Sequence, residues 1–320
     1  MTREPVIVVE GLRKSYRSTT VLDGIDFTVG RGEIFALLGP NGAGKTTTVN
    51  ILTTLVKADG GSATIGGHDV GREASRVRSE LSLTGQFAAV DDFQTGEENL
   101  LMMCRLAHLD HRSARIRSTE LLEQFDLVEA APRRVGTYSG GLRRRLDLAI
   151  SLIASPPVVF LDEPTTGLDP RSRMRMWEIV QELADAGTTI LLTTQYLEEA
   201  DQLADRIAVI DHGRVIATGT PDSLKAGVSG DRVELAFDGE ASFATAVTID
   251  FGTGAEFDAD SSTVRVPTED AVHTTRQLLA LADHHGLAIS SISIIKPTLD
   301  DVFLALTGTG VDLATTEVAA

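Results

Sequence analysis

A single cysteine, Cys104, stands in the whole of this 320-residue chain, which rules out an internal disulfide and a thiolate metal cluster. With Leu101, Met102 and Met103 beside it, it reads as a packed thiol. Long apolar runs are missing as well. The longest, such as Ile34 to Leu38 and Val158 to Leu161, fall far short of the roughly 18 residues that cross a bilayer, so any membrane role must be borrowed from a partner. Met1 to Glu10 has neither a basic start leading into an apolar stretch nor a small-residue cleavage site, and a cytoplasmic protein is expected. Positive charge is scarce: 29 Lys and Arg stand against 46 Asp and Glu, a net −17. From Ser229 onward the imbalance is steepest, 15 acids to 4 bases. That argues against adhesion to nucleic acid or anionic lipid heads, which require basic patches; a solvated, solubilising surface accounts for the acidity.

What is present is ample apolar content, 42%, enough for one large domain and one small one. Residues Val6 to Leu38 read as β-rich, and the buried strand Glu33 to Leu38 leads into a glycine-rich turn and a helix from about Lys45. Between Glu73 and Arg134 the periodicity turns helical, predicting an inserted helical subdomain over about 73–150. Strands return at Val158 to Leu161, Thr189 to Thr193 and Ile207 to Ile210, alternating with helices Pro170 to Ala186 and Leu197 to Leu203. Such alternation predicts a mostly parallel α/β sheet covered on both faces. A polar stretch, Lys225 to Gly230, marks a boundary. The first domain is expected over 1–228, and a small α+β domain over 229–308 with the order β-α-β-β-α-β, which suggests a ferredoxin-like unit; 309–320 reads as a flexible tail. A last helix from Leu299 carries an apolar stripe, Leu299, Val302, Phe303 and Leu306.

The segment Gly39-Pro40-Asn41-Gly42-Ala43-Gly44-Lys45-Thr46 fits G-x-x-x-x-G-K-[ST], placed between a buried strand and a helix as a phosphate loop must be. The glycines let backbone N–H groups curl around phosphates, the helix N-terminus adds partial positive charge, and Lys45 supplies a full one. Thr46 is then placed to hold Mg²⁺, with Thr47 next to it. Phosphoryl transfer also needs a metal anchor and a group that orients water. Asp162 and Glu163, ending an apolar strand, supply both: Asp162 toward the metal, Glu163 as general base. Adjacent acids after a strand can also be mere capping or solubilising residues.

P-loop proteins fall into many classes, and the class is carried by Tyr138-Ser139-Gly140-Gly141-Leu142 ahead of a helix, Ser139 lying 94 residues after Lys45 and 23 before Asp162. This resembles the Leu-Ser-Gly-Gly-Gln signature of ATP-binding-cassette ATPases, with its two outer residues changed. The run Tyr-Ser-Gly-Gly-Leu-Arg-Arg-Arg, the run Thr-Thr-Gln-Tyr-Leu-Glu-Glu-Ala-Asp from Thr193, and the terminal Pro297-Thr298-Leu299-Asp300-Asp301-Val302-Phe303 are similar to the ATP-binding subunits of daunorubicin/doxorubicin-resistance exporters. The resemblance implies a P-loop ABC ATPase that binds ATP and Mg²⁺. It implies a peripheral place at the cytoplasmic face of the membrane, an integral-membrane permease on a separate chain, and a second copy in a head-to-tail dimer. It also implies roles residue by residue. Tyr16 would stack on adenine, Gln86 would touch metal and water, Ser139, Gly140 and Gly141 would face a γ-phosphate, and Asp169 would lie in the loop that senses the other subunit. Gln195 stands where a histidine is usual and can donate a hydrogen bond but carry no charge.

Two other functions compete with a motor for efflux of drugs, antibiotics or lipid-like natural products. A soluble cassette ATPase acting on nucleic acid or ribosomes would commonly carry two cassettes or a long coiled-coil insertion, and neither is present. A nucleotide-sensing regulatory subunit is disfavoured by Glu163 and kept open by Gln195. Of Arg143, Arg144 and Arg145, successive on one helix, at least two are expected to solvate it or pair with acids rather than face a nucleotide.

Overall fold

The computed structural model describes residues 3–85, 90–227 and 230–307. The chain divides into two compact units between Pro221 and Asp222, ahead of the 228/229 junction read from the sequence.

The first unit opens with β1 (Pro5–Tyr16), β2 (Thr19–Gly30) and β3 (Ile34–Leu38), followed by α1 (Lys45–Leu52), β4 (Gly60–Ile65), β5 (His68–Asp69), α2 (Ala74–Glu80) and β6 (Leu81–Thr84). It continues through α3 (Gly96–Leu106), α4 (His111–Gln124), α5 (Gly140–Ser151), β7 (Val158–Asp162), α6 (Pro170–Asp185), β8 (Thr189–Thr194), α7 (Leu197–Leu203), β9 (Arg206–Asp211) and β10 (Arg214–Gly219). A six-stranded sheet has the order β10-β9-β3-β8-β7-β6, parallel except for the antiparallel edge strand β10. Every residue of β3, β7 and β8 is buried. These are the runs with least alternation, as expected of parallel strands covered on both faces.

A second sheet, β2-β1-β4-β5, is wholly antiparallel. The β-rich start of the chain therefore does not join the parallel sheet until β3, a division that strand propensity alone does not reveal. The two sheets share one core, in which the rings of Phe27 on β2 and Phe35 on β3 stack with centroids 5.2 Å apart. Phe35 is fully buried and burying such a side chain contributes about 1.5–3 kcal/mol.

The inserted helices are delimited by local chemistry. Thr95 accepts from Glu98 N and the Glu98 carboxylate accepts from Thr95 N, a reciprocal capping box that starts α3. Asp110 caps α4 through Arg112 N and Ser113 N. Cys104, on α3, is fully buried, and burial pushes its thiol above the usual range.

Helix α8 (Pro221–Ala226) spans the division, and the second unit continues with β11 (Asp231–Phe237), α9 (Glu240–Ala246), β12 (Glu256–Asp258), β13 (Thr263–Thr268), α10 (Ala271–His285), β14 (Ile289–Ile295) and α11 (Leu299–Thr307). Its four strands form an antiparallel sheet ordered β12-β13-β11-β14. Along β11, Val233, Leu235 and Phe237 are buried in alternation, the period-2 mark of a sheet with one covered face. Helix α11 buries Leu299, Val302 and Phe303 but leaves Leu306, in its last turn, 39% exposed, so the predicted stripe is one residue too long. Residues 309–320, read as a tail, lie outside the described residues.

Candidate active site

The phosphate loop connects β3 to α1, and close approach requires glycine at two of its positions. A Cβ on Gly39 would lie 2.2 Å from the carbonyl oxygen of Ile210 on the neighbouring strand β9. Gly44, the N-cap of α1, has φ +109°, and a Cβ there would meet Leu22 at 2.5 Å. Lys45 is buried and donates to Gly39 O at 2.6 Å and Pro40 O at 3.1 Å. Burial pulls its ammonium below the ordinary lysine value, while Glu163 and Asp162 push it back up. The cation and the two acids thus belong to one electrostatic site.

Asp162, the last residue of β7, is buried; its Oδ1 accepts from Thr46 Oγ1 at 3.2 Å and from Thr193 Oγ1 at 2.5 Å. The carboxylate and the Thr46 hydroxyl therefore form a pair of hard oxygens across the foot of the loop, the donor type that Mg²⁺ accepts alongside phosphate and water oxygens. Glu163 departs from the strand at φ +49°. A non-glycine residue pays about 1–3 kcal/mol for such a backbone. Its N–H donates to Thr193 O and Oγ1, each at 3.1 Å, and its Oε2 accepts from Thr166 Oγ1 at 3.2 Å. Thr193, which the sequence reading passed over as a strand residue, thus steadies both acids at once.

Ser139 and Gly140 are exposed at the start of α5. Ser139 is its N-cap, accepting from Leu142 N at 3.3 Å, which leaves the hydroxyl proton to donate outward. Gly141 is buried, and a Cβ on it would fall 2.3 Å from Ser172 Oγ on α6. Its smallness serves helix packing. Asp169 caps α6 in turn, accepting from Ser172 N at 3.0 Å and Ser172 Oγ at 2.6 Å, and the Ser172 hydroxyl holds its carboxyl below the usual range.

The family described as ABC transporter matches residues 22–166, and that described as ATP-binding protein DrrA1-3-like, C-terminal domain, matches 219–307. The chain is 53% identical over 302 residues to the daunorubicin resistance ATP-binding protein DrrA2 of Streptomyces coeruleorubidus, covering 93% of this chain and 94% of that one. It is 48% identical to the daunorubicin/doxorubicin resistance ATP-binding protein DrrA of Streptomyces peucetius, covering 100% and 98%. A solved ATP-binding subunit of an ABC transporter superposes with a TM-score of 0.62 at 28% identity, over 69% of this chain and 92% of that one. The chain belongs to the ABC ATPases, in the DrrA-like branch.

As an ABC ATPase, this chain binds and hydrolyses ATP, and the other residues singled out from its sequence fall as follows. Tyr16 ends β1, 46% exposed, with Lys14 Nζ 5.4 Å from its ring centroid; no described contact brings it to the loop. Thr47 is half-buried on α1. Gln86 lies outside the described residues. Gln195 follows β8, half-buried, and its side chain makes no hydrogen bond among the described residues. The turn into α7 is instead held by Thr194 Oγ1, which accepts from Tyr196 N at 2.9 Å. Arg143 pairs with Asp92 at 2.6 Å and Arg145 with Asp126 at 3.0 Å, the pairing with acids expected for at least two of the three arginines. Arg144 also meets an acid, Asp147, at 3.6 Å, but it turns inward and donates to the backbone carbonyls behind Glu163.

Proposed function

We propose that this ABC ATPase is the motor subunit of an exporter of drug-like or antibiotic compounds, acting with a permease on another chain at the cytoplasmic face of the membrane. The relatives' names support the class of cargo. No helix among the described residues is long and apolar enough to cross a membrane. The single observation that carries the catalytic reading is the adjacency of Thr46, Asp162 and Glu163 at the foot of the phosphate loop.

In this reading the loop amides from Gly39 to Thr47 and the Lys45 ammonium bind the phosphates of ATP, and Tyr16 lies against the base. Thr46 and Asp162 hold Mg²⁺, which would neutralise charge on the β- and γ-phosphates. Glu163 accepts the proton of the attacking water. Ser139 and Gly140 of one copy face the ATP held by another, so that two copies close head to tail on two nucleotides and push on the permease. The test is Asp162→Asn. It is expected to abolish the gain in ATP affinity that Mg²⁺ confers while leaving Mg²⁺-free binding, measured in EDTA, near wild type. Unchanged Mg²⁺ dependence would remove Asp162 from the metal site.

Gln195 is assigned to the γ-phosphate. With Thr194 already holding the turn into α7, Gln195→Ala is expected to cost about 1–3 kcal/mol of transition-state stabilisation and to weaken ATP far more than ADP. Gln195→His should retain at least part of the turnover. Equal weakening for both nucleotides, together with a lowered melting temperature, would make Gln195 a structural residue instead.

A further inference from the structure

Arg144 is 9% exposed, and its guanidinium is spent on main-chain oxygens. Nε donates to Pro164 O at 3.0 Å, Nη2 to Asp162 O at 3.1 Å and to Glu163 O at 3.4 Å, and Nη1 to Gly85 O at the end of β6. Asp147, one turn along α5, lies 3.6 Å from Nη1. A planar fork of five donors is the side chain able to hold the carbonyls of three successive residues together.

Those three residues form the turn that carries Glu163 out of β7 at φ +49°. Strain of that kind persists where the surroundings over-determine the backbone, and here two sets of bonds do so. Thr193 grips the Glu163 N–H from the β8 side, and Arg144 grips the carbonyls from the α5 side. The same helix begins at Ser139, so one rigid element connects the residue proposed to meet a γ-phosphate with the backbone of the residue proposed to activate water.

We propose that Arg144 is a positioning residue for ATP hydrolysis: its fork fixes the 162–164 turn so that the Glu163 carboxylate is aimed at the attacking water, and it couples that aim to α5. The proposal rests on the reading of Glu163 as general base. An ammonium is a compact charge without the fork, so Arg144→Lys preserves the cation and loses the geometry. Misplacement of a reacting group by about 1 Å costs on the order of a hundredfold in rate.

The experiment compares the full chain carrying Arg144→Lys, Glu163→Gln or both, together with Arg144→Gln. The readouts are kcat and KM for ATP, ADP affinity and melting temperature. Arg144→Lys is expected to lower kcat roughly ten- to a hundredfold with KM, ADP affinity and melting temperature near wild type, and to add no further loss in the Glu163→Gln background. Arg144→Gln, whose amide ends near the position of Nε and so can reach only the Pro164 carbonyl, should lower kcat at least as far as Arg144→Lys. The proposal is overturned if both Arg144 variants keep wild-type kcat. It is equally overturned if kcat, nucleotide affinity and melting temperature decline together, because the arginine is then a strut of the fold. Full additivity of the two losses would show that Arg144 acts on something other than Glu163. Near-normal turnover by Glu163→Gln alone would sink the general-base reading, a separate result from any of these.

Discussion

Glu163→Gln is expected to bind ATP like the wild type and to hydrolyse it at least about a hundredfold more slowly, the usual contribution of a positioned general base. The amide is isosteric and can still accept from Thr166 Oγ1, which the carboxylate meets at 3.2 Å. The main chain is held by Thr193 and Arg144 through its own N–H and carbonyl groups, independently of what the side chain carries. Only the ability to take a proton is lost. An ATP-bound dimer should therefore accumulate, visible as a doubled mass in size-exclusion chromatography with light scattering when ATP is present and not when ADP is. Turnover within a few-fold of wild type would show that another group activates the water.

Gly39→Ala is expected to be the most damaging small substitution in the phosphate loop. The added methyl would sit 2.2 Å from Ile210 O, and that oxygen is main chain in a buried strand, so no rotamer change relieves the clash. Separating β3 from β9 disturbs the parallel register in which Leu38 lies beside Val209. Overpacking of this severity costs about 3 kcal/mol, or roughly 6–12 °C in melting temperature for a unit of this size. ATP affinity should fall with it, since the loop amides are aimed by the same backbone. Gly42→Ala offers the contrast: nothing lies within 4 Å of its Cβ, and the penalty there comes from φ +83°. A Gly39→Ala protein that melts like the wild type would mean the two strands separate at little cost.

The sequence made the architecture legible wherever periodicity and punctuation agreed. The buried runs at Ile34, Val158 and Thr189 became the central strands, and Ser139, read ahead of a helix, caps α5, whereas the Thr95/Glu98 capping box that starts α3 went unread. Asp162 and Glu163 stood out as candidates because two adjacent acids end an apolar strand in a chain with a phosphate loop. Three features were hidden. The separate antiparallel sheet depends on long-range pairing of β1 with β4, which no local pattern encodes. The work of Thr193 depends on β7 and β8 lying side by side in parallel. Arg144 looked like one of three equivalent arginines, and only the rotation of α5 against the β7 turn separates it from its neighbours. Gly141, matched to a phosphate-facing role through its backbone N–H, has a second reason to be small that the sequence did not show: it makes room for Ser172.

The strand order has a consequence for how this chain is made. The strand leading into the phosphate loop, β3, is synthesised early, yet its two neighbours in the sheet are β8 and β9, made much later. Until residues 189–211 have left the ribosome, β3 has neither hydrogen-bonded flank, and the Ile210 carbonyl that packs against Gly39 does not yet exist. Contacts of such sequence separation form late because closing the intervening chain costs entropy before it returns any bonding. The nucleotide site therefore has to be completed after the rest of the first unit has emerged. In the interval the apolar strand Ile34–Leu38 is the segment most in need of protection from premature pairing.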